Sequence, residues 1–227
     1  MDSLHVLRQD IVSCEACPRL ITHCRTVAQV KRRAFLAEEY WGKPLPGWGD
    51  PEARVLLLGL APAAHGGNRT GRMFTGDRSG EFLFQALYEA GFARQPGSTA
   101  RGDGQELLGA YMSNAVRCAP PDNRPAPGEI AVCRRFLARE IALLPKLEAV
   151  IALGKLAFDV YLAILREAGV IGSRAPYVFG HNREYAPSAG GPRLIASYHP
   201  SQQNTSTGRL TAEMMRAVLR RVAAPSL

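Results

Sequence analysis

The sequence predicts an α/β protein, a three-layer α/β/α sandwich around a central, mostly parallel four-stranded sheet. Three observations lead there. Four short apolar runs of strand length recur along the chain, stretches with helical spacing separate them, and the loops around them are rich in Gly, Pro or Asn. With 227 residues and 46% hydrophobic composition, the chain can bury one sizeable core. The expected organisation is a single domain over residues 1–227, with residues 1–50 as an N-terminal attachment.

Taken in order, residues 1–50 read as one or two helices carrying Lys31-Arg32-Arg33, then a Trp/Gly/Pro-rich loop from Trp41 to Gly49. Arg54–Gly59 is an apolar run between Pro51 and a Gly/Pro/Ala-rich loop, the pattern of a fully buried strand. Glu81–Ala90 has helical spacing, and Ala110–Val116 is the second strand. Pro127–Pro145 (helix), Ala149–Leu153 (strand), Lys155–Glu167 (helix), Leu194–Tyr198 (strand) and Thr211–Val222 (helix) complete the alternation. Loops rich in Pro, Gly and Asn cover Pro120–Pro127 and Gly180–Pro192. In such sheets ligands sit outside the carboxyl ends of the strands, where this chain keeps its unusual residues.

The formal net charge is +8, with Arg spread along the chain, which favours a polyanionic partner. No apolar run approaches the roughly 20 residues that cross a bilayer. Met1-Asp2-Ser3-Leu4-His5 lacks a basic segment leading into an apolar one, so the expectation is a cytoplasmic protein without a membrane partner. Five cysteines, an odd number, in a reducing compartment point to metal ligation before disulfides.

Cys14-x2-Cys17 is a ligand pair, because two intervening residues let both thiolates reach one ion or one cluster face. Cys118 follows the second strand and Cys133 lies in a predicted helix, so the four could close one tetrathiolate site that ties the attachment to the core. The plainer reading makes Cys118 and Cys133 ordinary core cysteines. Zinc and an iron–sulfur cluster both accept four thiolates, and spacing does not separate them. Cys24 is read as a non-ligand.

After the first strand, the loop from Gly59 to Asp77 is built of small residues that let backbone N–H groups approach a ligand. It matches neither the dinucleotide nor the Walker phosphate loop, so a nucleotide cofactor is unsupported. Phe74 stands in this polar stretch with no periodic core pattern to join; it is either a stacking platform for a flat base or a plug on the core. Asn114, near the end of the second strand, offers a donor and an acceptor that match the O4 and N3–H edge of uracil, or else it bonds a loop carbonyl. His199, held extended by Pro200, can donate to an anionic leaving group or move a proton. The following Gln202-Gln203-Asn204-Thr205 suits phosphates and base edges.

Together, Gly59-Leu60-Ala61-Pro62-Ala63, the Phe74 loop, Ser113-Asn114-Ala115-Val116-Arg117-Cys118 and His199-Pro200-Ser201 resemble the uracil-DNA glycosylase superfamily, family 5 most closely. The resemblance runs from Cys14 to about Thr205, with the motifs in the family's order. It implies a uracil-DNA glycosylase-like fold and a 4Fe-4S cluster on Cys14, Cys17, Cys118 and Cys133 in place of zinc. It also implies a pocket bounded by Ala61 and Ala63, in which Phe74 stacks on the flipped base, Asn114 reads its edge and His199 bonds O2. The segment after His199 is similar to a loop that fills the gap left by the flipped base. Ser201, Gln202, Gln203 and Asn204, with His65, Asn68 and Arg69 of the first loop, are therefore expected to contact DNA.

Related families place a carboxylate or amide in the first motif, where this chain has Leu60 and Ala61. Asp77 is the nearest acid; it either orients water or stabilises the sugar cation, or it caps the helix starting near Ser79. The expected activity is removal of uracil, and of other deaminated bases such as hypoxanthine, from double- and single-stranded DNA by a nucleoid-associated monomer. A non-catalytic Fe–S nucleic-acid-binding protein, a family 4 enzyme and a zinc hydrolase are the alternatives.

Overall fold

The computed structural model describes residues 2–223. Among these, the chain folds as eight α-helices around a six-stranded sheet. The four expected strands are β2 (Val55–Gly59), β3 (Ala110–Asn114), β4 (Ala149–Leu153) and β6 (Arg193–Ser197). They pair in parallel in the order β3-β2-β4-β6. Two-residue strands, β1 (Trp48–Gly49) and β5 (Glu184–Tyr185), add antiparallel edges, which makes the sheet six-stranded rather than four-stranded. They escaped the sequence because two residues carry no alternation to read.

Strand alternation divides the core. Val55, Leu57, Ala110, Met112, Ala149, Ile151, Leu153 and Ile195 face α4 (Arg78–Glu89) and α8 (Ala212–Arg220). Leu56, Leu58, Tyr111, Val150, Ala152, Leu194 and Ala196 face α5 (Pro127–Ala142) and α6 (Lys155–Glu167). Strands buried on both faces need continuous apolar sequence, which is why these runs stood out. Helices on both faces make the three-layer sandwich.

The N-terminal helices α1 (Leu4–Val12) and α2 (Pro18–Val30) form a third apolar cluster. Leu7, Ile11, Leu20, Ile21 and Cys24 pack with Val116, Cys118, Cys133 and Phe136. Pro18 at the first position of α2, where no N–H is needed, starts that helix directly after Cys17.

β3 stops at Asn114, two residues short of the expected end, but its pairing with the β2 end continues as loop hydrogen bonds. Ala115 N donates to Gly59 O (2.9 Å) and Val116 N to Leu60 O (2.8 Å). Short helices α3 (Gly67–Thr70) and α7 (Gln202–Ser206) lie in the loops after β2 and β6. No helix among the described residues is long and apolar enough to cross a membrane.

Candidate active site at the strand ends

Register brings the site together. Gly59 pairs with Asn114 across the parallel β2/β3 ends, and β6 ends at Ser197, two residues before His199. A cavity of about 580 Å3 opens there, bounded by Leu60–Ala63, Phe74, Asp77, Asn114, His199 and Ser201–Gln203. A larger cavity of about 830 Å3 lies between α1, α2 and Trp41–Pro44, away from the strand ends. The converging polar groups at the smaller one make it the candidate site.

Gly59 is the floor. A Cβ there would stand 2.3 Å from Asn114 Oδ1 and 2.8 Å from Phe74 Cζ, so only glycine lets the aromatic and the amide meet. Phe74 adopts the left-handed conformation (φ 52°), rare for a bulky residue. Its ring centroid is 6.2 Å from that of His199. Asn114 is 2% exposed, and its Oδ1 is a buried acceptor with no partner. Such an orphan costs roughly 1–3 kcal/mol unless something donates to it.

Burial holds the His199 pKa down at about 4, so the imidazole is neutral at neutral pH and offers an N–H without a charge. Its backbone is fixed from two sides. Asn204 Nδ2 donates to His199 O (2.9 Å), and Gly154, at φ 102°, leaves room for the His199 Cβ, 3.3 Å from where its own would be.

Asp77 is the N-cap of α4: its Oδ1 accepts from Gly80 N at 2.9 Å, while Oδ2 packs against Gly66. The carboxyl also lines the cavity, and burial raises its pKa despite the amide hydrogen bonds. Capping and cavity lining are thus combined in one side chain.

Of the residues expected at DNA, Gln202 and Gln203 are exposed at the cavity edge. Ser201, also at the cavity, caps α7, and Asn204 is turned inward to His199. Two expectations are corrected. Asn68 is fully buried and donates to Cys24 O (3.2 Å). Arg69, 7% exposed, donates to His65 O and Gly76 O (both 2.8 Å), pairs with Glu38 and lies over the Phe35 ring. Asn68 reaches the α2 backbone and Arg69 ties two loop carbonyls, so neither side chain is presented at the surface. His65 is half-buried, bonded to Tyr40 OH (3.1 Å), and does not line the cavity.

Sequence reasoning missed the opposite rim. Asp122, Asn123 and Arg124 line the cavity, and the first two sit in left-handed conformations (φ 53° and 56°). The signal was Asp-Asn inside a Pro-rich loop, since Asx residues tolerate that backbone.

Elsewhere, Cys14, Cys17, Cys118 and Cys133 line one small apolar cavity with Leu20, Ile21, Val116, Val132 and Phe136. Arg117 N donates to Cys133 Sγ (3.3 Å), and Cys24 Sγ donates instead to Ala119 O (3.5 Å). Among the described residues, no three His, Cys, Asp or Glu side chains are placed to hold a single metal ion. Arg117, between Asn114 and Cys118, is 1% exposed and bonds Glu140 of α5 (2.7 Å). Glu140 also accepts from Ser113 Oγ and from Tyr111 OH (3.3 Å).

Residues 46–223 match the model of the uracil DNA glycosylase superfamily. The chain is 50% identical over 211 residues to a Type-5 uracil-DNA glycosylase of Thermus thermophilus, covering 93% of each chain. It is 47% identical over 215 residues to one of Pyrobaculum aerophilum, covering 94% of this chain and 89% of the relative. A Type-4 uracil-DNA glycosylase of Thermotoga maritima is 26% identical over 201 residues, covering 87% of this chain and 81% of the relative.

Proposed function

The chain belongs to the uracil-DNA glycosylase superfamily, and from that premise we propose how its strand-end cavity removes uracil from DNA. The carrying observation is the orphaned amide oxygen of Asn114, set beside the Phe74 ring at the mouth of β3. A uracil flipped out of the stack would lie on Phe74. Its N3–H would donate to Asn114 Oδ1, and its O4 would accept from Nδ2.

Hydrolysis breaks the bond between C1′ and N1 with both electrons leaving on the base, while water oxygen adds to C1′ and the proton that water loses ends on the uracil anion. Negative charge grows on the uracil and positive charge on the sugar, so donors aimed at the base lower the barrier. His199, neutral and partly buried, would donate to O2, assisted by backbone amides near Ala61–Ala64. Asp77 orients the water and stabilises the sugar cation, while its cap bond to Gly80 keeps the carboxyl in place.

The wall formed by Leu60, Ala61 and Ala63 carries no side-chain polar groups. A wrong base leaves few wall groups unpaired, so other deaminated bases such as hypoxanthine are also substrates. The same reading places a 4Fe-4S cluster on Cys14, Cys17, Cys118 and Cys133. An all-sulfur donor set around a shared apolar cavity, with a backbone N–H on one sulfur, fits such a cluster, and the choice of it over zinc rests on the family resemblance. When bound, the group supplies a cross-link between α1–α2 and the β3 end. The net charge of +8 and the exposed Gln202 and Gln203 support binding to DNA, single- or double-stranded; the same reading makes the protein a monomer acting at the nucleoid, in the cytoplasm.

The test is an incubation with a uracil-containing oligonucleotide followed by alkali, beside a uracil-free control. Wild-type protein cuts only at uracil, and His199→Ala lowers the single-turnover rate about 10²–10³-fold. Near-normal cleavage by His199→Ala removes the histidine from this role.

A further inference from the structure

We propose that Arg72 and Asp103 are a positioning pair that holds Phe74 in its left-handed conformation on the Gly59 floor, so that the stacking face is set before the base arrives. The inference rests on reading Phe74 as that face.

A bulky residue at φ 52° persists only where its surroundings over-determine it. Phe74 meets that condition. Its carbonyl lies against Gly80, where a Cβ would stand 2.1 Å away, and its ring lies on Gly59. The carbonyl before it, Met73 O, accepts from Trp48 Nε1 (3.3 Å) and Thr75 Oγ1 (3.1 Å).

A chain of hydroxyls leads outward from that carbonyl. With the Thr75 hydroxyl proton given to Met73 O, Thr75 Oγ1 accepts from Ser98 Oγ (2.7 Å) and from Arg72 Nε (3.0 Å). Ser98 Oγ in turn accepts from Arg72 Nη2 (2.7 Å). Every proton in the chain therefore has one destination, and Arg72 is the source.

Arg72 is buried over the Trp48 ring (4.6 Å), and its charge is met by Asp103 Oδ2 at 2.6 Å. Asp103 also collects the N–H groups of Thr99 (2.8 Å), Ala100 (3.2 Å) and Gln105 (2.9 Å), drawing its loop into a buttress behind Phe74. Against the cost of burial, Arg72 first and then these amides hold its carboxyl at about 2, so Asp103 is ionised wherever the protein is folded and working. Neither Arg72 nor Asp103 lines the cavity, so their effect on substrate must pass through Phe74.

The test is a double-mutant cycle in kcat/KM on a uracil-containing duplex, with thermal melting of each variant. Asp103→Asn lowers kcat/KM about 10-fold, the order of one loosened base–aromatic stack. In a Phe74→Ala background, the same change costs less than about 2-fold, because the platform it positions is gone. A merely structural role lowers the active fraction equally in both backgrounds, so equal losses overturn the proposal, as does an unaffected Asp103→Asn. If Asp103→Asn fails to fold, Ser98→Ala, which removes one hydroxyl of the chain, is read in the same cycle against the same outcomes. Phe74→Ala cleaving like wild type would sink the stacking reading itself, and this inference with it.

Discussion

Glu140→Leu removes the acceptor that gathers Arg117, Ser113 and Tyr111 behind the pocket. Both ion-pair partners are 1% exposed, so solvent cannot replace the lost carboxylate, and the Arg117 guanidinium is left charged among apolar side chains. Removing one partner of a buried pair costs about 3–5 kcal/mol. For a domain of this size, each kcal/mol lowers Tm by roughly 2–4 °C, so the expected fall is about 6–20 °C. Thermal unfolding followed by circular dichroism measures it, at fixed salt and protein concentration. The second change, Arg117→Met on top of Glu140→Leu, should restore most of the loss, because the penalty lies in the orphaned charge more than in the missing bond. A fall below about 2 °C for Glu140→Leu, or no recovery in the double variant, refutes that account. Cleavage kinetics of Glu140→Leu provide a second reading, since Arg117 stands between Asn114 and Cys118 and its displacement moves the pocket amide.

The remaining expectations concern pH, packing and the thiols. Burial lowers the His199 pKa to about 4, so the histidine stays neutral as pH falls from 8 to about 5, and it produces no loss of single-turnover rate near 6.5. The Asp77 pKa moves the other way: a carboxylate needed by the reaction is protonated as pH falls through the raised value, giving an acid limb that Asp77→Asn abolishes. A limb centred near 6.5 that survives in Asp77→Asn would contradict both assignments. Gly154→Ala forces a side chain into a backbone at φ 102° and against His199, and should cost more than about 1 kcal/mol of stability as well as cleavage rate; unchanged kinetics would show that the contact does not set His199. Cys118→Ser should abolish the brown absorbance and sulfide content of protein purified without oxygen, whereas Cys24→Ser should keep both; the reverse pattern would exchange their roles.

How much of this was legible in the sequence follows from what each feature writes into it. Parallel strands buried on both faces must be apolar throughout, so β2, β3, β4 and β6 were visible, and their ends located Asn114 and His199. The edge strands β1 and β5 were not visible, because two residues paired on one side leave no pattern. Asn68 and Arg69 looked like surface groups because a Gly-rich polar loop usually is one. They are buried because the loop packs on α2, whose Cys24 carbonyl takes Asn68, and curls over Arg69, which ties two of the loop's own carbonyls, a demand set by backbone path rather than by residue type. The Arg117–Glu140 pair was illegible for a related reason: its partners lie 23 residues apart on different elements, and either alone reads as an exposed charge.

The packing of the N-terminal helices has a consequence for the order in which the protein is made. Leu7, Ile11, Leu20 and Ile21 bury themselves against Val116 and Phe136, which leave the ribosome only when more than half the chain has been synthesised. Until then α1 and α2 carry an apolar stripe with nothing to cover it, and short helices of this kind are marginal in water on their own. These two helices, made before the residues they pack on, are therefore among the last to settle. Cys14 and Cys17 spend that interval unshielded, their thiols within reach of oxidants.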